Sequence, residues 1–230
     1  MKTHSIREAL GVYTAHVAVN TVIDVGINTH TDYLVDVFPG AKHYLFEPVS
    51  QFYRGIAENY RNIDHVLIPK AVSDSSGKQW LNLTSNADTR EITHSSLDTN
   101  QSNSIVDQIE VDVVTLDDYF TEHPIDLSGF NSILKIDVDS VEYKILQGAS
   151  DISQHIGLMI IECHQGQLPE ITTLAKSLGF MVWDIVSAAY YCDQFVQCDI
   201  LFINTRLTAI NAAFRPWEAP FKMDQWVHNN

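Results

Sequence analysis

Short runs of β-branched and apolar residues alternate along this chain with segments whose apolar residues recur at helical spacing. That alternation belongs to a parallel sheet with helical crossovers, because each crossover must carry one apolar face back onto the sheet. Thr21 to Val25 is the first strand and ends in Gly26, while Ile6, Leu10, Tyr13 and Val17 mark one face of a helix before it. Tyr33, Leu34, Val37 and Phe38 form the next helical face, closed by Pro39-Gly40. His43 to Glu47 reads as the second strand. A helix follows with Phe52, Tyr53, Ile56 and Tyr60 inward, and His65 to Ile68 with Lys70 to Val72 reads as a third strand region.

The alternation breaks at Asp74-Ser75-Ser76-Gly77, which is turn chemistry. Trp80, Leu81 and Leu83 suggest an added strand, residues 84–108 are polar, and Ile109 to Leu116 reads as a strand returning. A polar stretch that long is predicted to be an excursion over one end of the sheet, a hairpin insertion and not a second domain. Beyond it, Ser132 to Asp137 is a strand, and the helix after it carries Val141, Ile145 and Leu146 and stops at Gly148. Gly157 to Cys163 is nearly all apolar and is predicted to be a central buried strand. Pro169 opens a helix lined by Ile171, Leu174 and Leu178 and capped by Gly179, and Phe180 to Val186 and Cys198 to Asn204 complete the sheet. The expected organisation is an N-terminal helix in residues 1–20, one α/β domain over 21–204 and an aromatic tail over 205–230. Phe214, Trp217, Phe221 and Trp226 would strap that tail to the domain, with a homodimer contact as the alternative.

Composition narrows the partners. With 45% hydrophobic and 19% charged residues the chain is globular. Its 29 acidic against 14 basic side chains give a formal charge of −15, which argues against nucleic acid and anionic membrane surfaces, since both reward cationic faces. Cys163, Cys192 and Cys198 form no close pair, so neither a disulfide framework nor a structural zinc is expected. Lys2, Arg7 and Glu8 interrupt the place of an export signal's apolar stretch. No apolar run approaches the roughly 20 residues of a membrane span, and a cytoplasmic setting is expected.

In open α/β sheets, ligands bind beyond the carboxyl ends of the strands. Asp24-Val25-Gly26-Ile27-Asn28 sits at the first such end. A dinucleotide site would need G-x-G-x-x-G there; this segment has one glycine, preceded by an acid, so a nicotinamide oxidoreductase is disfavoured. A carboxylate repels a diphosphate and attracts a sulfonium, which suits S-adenosylmethionine. Glu47, 23 positions past Asp24, is near the spacing at which an acid accepts ribose hydroxyls.

These residues bring out a resemblance to the FkbM-type S-adenosylmethionine-dependent methyltransferases, running from Val22 to Cys163. It rests on Asp24 to Asn28, Phe46-Glu47-Pro48, Ala71-Val72-Ser73-Asp74 with Gly77, and Ser95-Ser96-Leu97. It continues through Val114 to Asp118, Lys135 to Glu142, Ile145 to Ala149 and Ile161-Glu162. The resemblance implies a Rossmann-like class I methyltransferase domain, with a mostly parallel seven-stranded sheet whose last strand is antiparallel. It also implies that Asp24, Gly26 and Asn28 line the methionine end of the cofactor, Glu47 the ribose, and Val72 and Ser73 the adenine. The activity implied is O-methylation of a sugar or other hydroxyl on a glycan or secondary metabolite. Two positions depart from the family pattern: His30 stands where glycine is usual, and Asp137-Val138-Asp139-Ser140 replaces Asp-Val-Glu-Gly.

Asp137, Glu142, Glu162 and His164 should converge at adjacent strand ends. Methyl transfer needs alignment of nucleophile and methyl and, for a hydroxyl, a base. His164 or Asp137 is the expected base, with Glu162 beside them and Asp137 also near the cofactor. The same acids suit a divalent metal ion as a second option, and Asp139 with Glu142 has capping-box spacing. The rival to an enzyme is a degenerate, non-catalytic binding protein of the same fold, suggested by His30 and the aromatic tail.

Overall fold

A computed structural model describes residues 5–85, 92–97 and 105–215. In chain order the strands are β1 (Thr21–Val25), β2 (Lys42–Phe46), β3 (His65–Ile68), β4 (Ala71–Val72), β5 (Gly77–Ser85) and β6 (Ile92–Ser96), then β7 (Ile105–Val114), β8 (Ser132–Ile136), β9 (Leu158–His164), β10 (Phe180–Tyr191) and β11 (Gln194–Asn204). The helices are α1 (Ile6–Thr14), α2 (Asp32–Val37), α3 (Tyr53–Asn59), α4 (Leu116–Glu122), α5 (Glu142–Gln147), α6 (Leu168–Ser177) and α7 (Thr205–Ile210). Among the described residues, seven strands form one sheet in the order β10-β11-β9-β8-β1-β2-β3. The pairs among β3, β2, β1, β8 and β9 are parallel. β11, the last strand, runs antiparallel to both of its neighbours. It can return beside β10 because Cys192 and Asp193 take φ 49° and 62°, the left-handed pair that a tight hairpin requires.

Side-chain alternation gives the sheet an apolar layer on each face. In β9, Met159, Ile161 and Cys163 join the core built with α4, α5 and α6, while Leu158 and Ile160 join the core built with α1, α2 and α7. That is why this strand reads as a continuous apolar run. The helix expected in residues 1–20 covers only Ile6–Thr14; Ser5 and Glu8 form a capping box that fixes its start, and Ile6, Ala9, Leu10 and Tyr13 are its buried face.

Several expectations need correction. The third strand region is two strands in two sheets. β3 pairs with β2, whereas β4 pairs in parallel with β7 in a second sheet of order β4-β7-β5-β6. The polar stretch 84–108 is not one loop, since β6 lies within it, antiparallel to β5, and β7 begins at Ile105. β10 and β11 extend well past Val186 and before Cys198, as a long hairpin. No capping box forms at α5: its N-cap is Val141, with no side-chain cap bond. Phe214 is buried against Tyr13 and Trp183, which ties the chain to α1 there. Trp217, Phe221 and Trp226 lie outside the described residues.

Candidate active site

Strand order reverses between β1 and β8, so the loops leaving their carboxyl ends diverge and open a crevice. A cavity of ≈ 390 Å³ lies there, lined by Gly26, Asn28, His30, Glu47, Lys135 and Asp137 among others. Gly26 has φ +79°, and a Cβ on it would lie 1.9 Å from the Asp137 carbonyl oxygen and 2.5 Å from Val138 Cγ1. The two strand tips therefore touch backbone to backbone, and the Asp137 N–H donates to the Val25 carbonyl at 3.1 Å. Asn28 takes φ 55°, a conformation that asparagine tolerates better than most side chains.

Glu47 closes one side of the cavity. Its Oε2 accepts from the Asn28 N–H at 2.9 Å and its Oε1 from the Val49 N–H at 2.8 Å. Burial pushes its pKa up to about 7, against the pull of those two donors. On its far side is a narrow pocket of ≈ 40 Å³, lined chiefly by apolar groups that include Phe46, Pro48, Val72, Leu81 and Val141. Glu47, Gly26 and Val138 border both spaces, so the carboxylate stands on the partition.

Beneath the larger cavity is a buried ion cluster. Lys135 Nζ donates to the Gly26 carbonyl at 2.9 Å and lies 3.2 Å from Asp24 Oδ1 and 3.3 Å from Asp137 Oδ2. Burial alone would push the Lys135 pKa down; the charges of Asp24 and Asp137 and the bonds to them raise it overall. Asp24 is fully buried and is not among the residues lining the cavity, so it reaches any ligand only through Lys135. Sequence reasoning missed Lys135, although a lysine inside the apolar run Ser132 to Ile136 was a visible signal.

The remaining acids lie on β9, on β11 and at the start of α5. Glu162 and Asp199 are register partners on β9 and β11, and the Gln197 side-chain amide donates to Glu162 Oε1. Burial, then the neighbouring charges of Asp137 and Asp199, push Glu162 up to about 8. Burial also raises Asp199; this acid was missed, though it interrupts the apolar run Cys198 to Ile203. Glu142 is fully buried at the start of α5, where burial lifts its pKa to about 7. His164 sits half-buried at the end of β9, opposite Gln197. Of the expected catalytic residues, Asp137 lines the cavity and Glu162 and His164 do not. Val72 lines the apolar pocket. Ser73 is buried, with its hydroxyl on Asp74 Oδ1 at 3.2 Å, and lines neither space.

The two departures resolve differently. His30 is exposed at the cavity lining and its φ is not positive, so the glycine usual there is not needed for backbone freedom and the imidazole does not fill the cavity. With that geometry His30 gives no support to a degenerate protein. Ser140, by contrast, has φ 77°, which explains why glycine suits its position. Among the described residues no group of three or more His, Cys, Asp or Glu side chains is arranged to hold a metal ion, so the divalent-ion option has no support.

The family signature described as the methyltransferase FkbM domain matches residues 16–182. No curated protein matches the chain in sequence. Among solved structures, a putative rRNA methylase from Clostridium thermocellum is similar at 9% identity and TM-score 0.50, over 88% of this chain and 97% of that one. An rRNA methylase from Streptococcus thermophilus is similar at 10% identity and TM-score 0.48, over 89% of this chain and 98% of that one. Aeropyrum pernix fibrillarin in complex with S-adenosyl-L-methionine is similar at 12% identity and TM-score 0.47, over 80% and 67%. At 9% identity the first likeness concerns the fold and nothing finer.

Proposed function

The chain belongs to the FkbM family of S-adenosylmethionine-dependent methyltransferases, and from that premise we propose that it methylates a hydroxyl oxygen on a sugar or other small acceptor, of the kind found on glycans and secondary metabolites. The observation that carries the cofactor assignment is the Glu47 carboxylate standing between a polar cavity and an apolar pocket, the order in which a nucleoside joined to an amino acid presents its parts. S-adenosylmethionine supplies an electrophilic methyl group on a positively charged sulfur. Gly26, Asn28 and Asp137 border its methionine end, Glu47 takes the ribose hydroxyls and the pocket at Val72 takes the adenine. Asp24 contributes from below, through Lys135, by fixing Gly26 and Asp137.

Carboxyl oxygens accept hydrogen bonds from hydroxyls, so Asp137 on the cavity lining, with Glu162 and Asp199 on the strands beyond it, favours a polyhydroxylated acceptor. Asp137 takes the hydroxyl proton, because of the three expected catalytic residues it is the one lining the cavity. Glu162 and His164, one strand further, hold the acceptor. The charge of −15 keeps nucleic acids outside this reading, even though the fold is shared with an rRNA methylase. The test is transfer of an isotopically labelled methyl group to a panel of sugars and simpler alcohols, with mass spectrometry of the products. Glu47→Ala should weaken binding of S-adenosylhomocysteine by roughly 10- to 100-fold, as expected for a lost charged acceptor. Unchanged calorimetric affinity in that variant overturns the ribose assignment.

A further inference from the structure

The charged residues lining the larger cavity are mostly acidic: Asp32, Glu47, Asp137 and Asp139 all contribute. Its two groups able to carry positive charge are Lys135 and His30. Lys135 is already committed, since its ammonium faces the Gly26 carbonyl, Asp24 and Asp137. On His30, Nδ1 lies 3.2 Å from the Thr29 hydroxyl, which leaves the other ring nitrogen for a ligand. The methionine end of S-adenosylmethionine carries one ammonium and one carboxylate. The acids suit the ammonium and repel the carboxylate, which therefore needs donors on this lining; Asn28, Thr31 and Tyr33 are neutral ones.

Resting on the methyltransferase reading above, we infer that His30 is a cofactor-binding residue whose imidazole donates to the carboxylate of the cofactor's amino-acid end. The glycine usual at this position offers no such donor. Here the backbone does not need glycine, and the side chain stands exposed on the cavity lining. The charges facing the imidazole are Asp32 at the start of α2, Glu47 after β2, and Lys135, Asp137 and Asp139 from β8 and its loop.

The experiment is calorimetry on the full chain with two ligands, S-adenosylhomocysteine and 5′-methylthioadenosine, which lacks the amino-acid end. His30→Ala should lose about tenfold or more in affinity for S-adenosylhomocysteine, the usual worth of a hydrogen bond to a charged group, and should bind 5′-methylthioadenosine as the wild type does. His30→Gln should recover part of the loss, because it restores a donor. An equal loss for both ligands, or an unchanged affinity for S-adenosylhomocysteine, overturns the inference and leaves the cofactor assignment standing. If the wild type binds neither ligand, the methyltransferase site itself is misassigned and the inference falls with it.

Discussion

Replacing Lys135 with methionine tests whether the ion cluster under the cavity holds the site together. The substitution nearly preserves side-chain volume, so its cost should be electrostatic. Lys135 is 2% exposed and Asp24 0% exposed, whereas the Asp137 side chain keeps 47% of its surface. Once the ammonium is removed, Asp137 can turn to water and Asp24 cannot. An uncompensated buried charge of that kind costs about 3–5 kcal/mol, and the lost donor to the Gly26 carbonyl falls within that range. A domain of this size shifts its melting temperature by roughly 2–4 °C per kcal/mol, so a fall of about 6–20 °C is expected. Urea denaturation of the wild type, Lys135→Met, Asp24→Asn and the double variant forms the assay. The double variant should recover most of the loss, because a neutral amide no longer needs a counter-charge, giving a coupling energy of roughly 1–3 kcal/mol. A Lys135→Met protein within 1 kcal/mol of wild type, taken as about the error of such extrapolations, would refute the reasoning. So would a double variant no better than the single one.

Two further outcomes follow from the same geometry. Ser140→Gly should raise stability by about 1 kcal/mol, read from the urea midpoint, because a serine at φ 77° bears the left-handed penalty that glycine avoids; no gain would mean that the serine side chain offsets its own strain. Glu47, Glu142 and Glu162 have folded pKa values raised to about 7, about 7 and about 8, so the folded state holds more protons than the unfolded one above pH ~4.5. Their contribution is therefore complete at acid pH and is lost as pH rises toward 8. Calorimetric melting should be higher near pH 5.5 than near pH 8.5, and Glu142→Gln should flatten the difference.

What could be read from the sequence divides by range. The first two strands, the crossovers and the cavity's glycine were legible because each depends on neighbours a few residues away. Thr21 to Val25 is apolar and β-branched, and Gly26 follows where a strand must turn. β4 was misplaced because Lys70 to Val72 continues the apolar pattern of β3, and only pairing with β7, some forty residues on, draws it into the second sheet. β6 was invisible because its residues are polar and its partner strand supplies the ordering. Lys135 and Asp199 were legible as anomalies in apolar runs. Their roles were not, because register across the sheet sets Lys135 beside Asp24 and Asp199 beside Glu162.

That last pair shows where stability and activity diverge. Glu162 and Asp199 face each other directly across antiparallel strands, where like charges are destabilising, and neither has a lysine or arginine within ion-pair distance among the described residues. Glu162 answers by holding a proton up to about pH 8. Glu162→Gln keeps the oxygen that receives the Gln197 amide and removes the charge. Below pH 7 the wild type is already neutral at this position, so the variant should match it in urea denaturation. At pH 9 the variant should be more stable by about 0.2–1 kcal/mol, the range for cross-strand pairs. If the acid serves the acceptor as proposed, methyl transfer should nevertheless fall, with KM for the acceptor rising and S-adenosylhomocysteine affinity unchanged. A stability gain that is the same at both pH values would show that Glu162 does not change its protonation between them. An unchanged KM would remove Glu162 from the acceptor site.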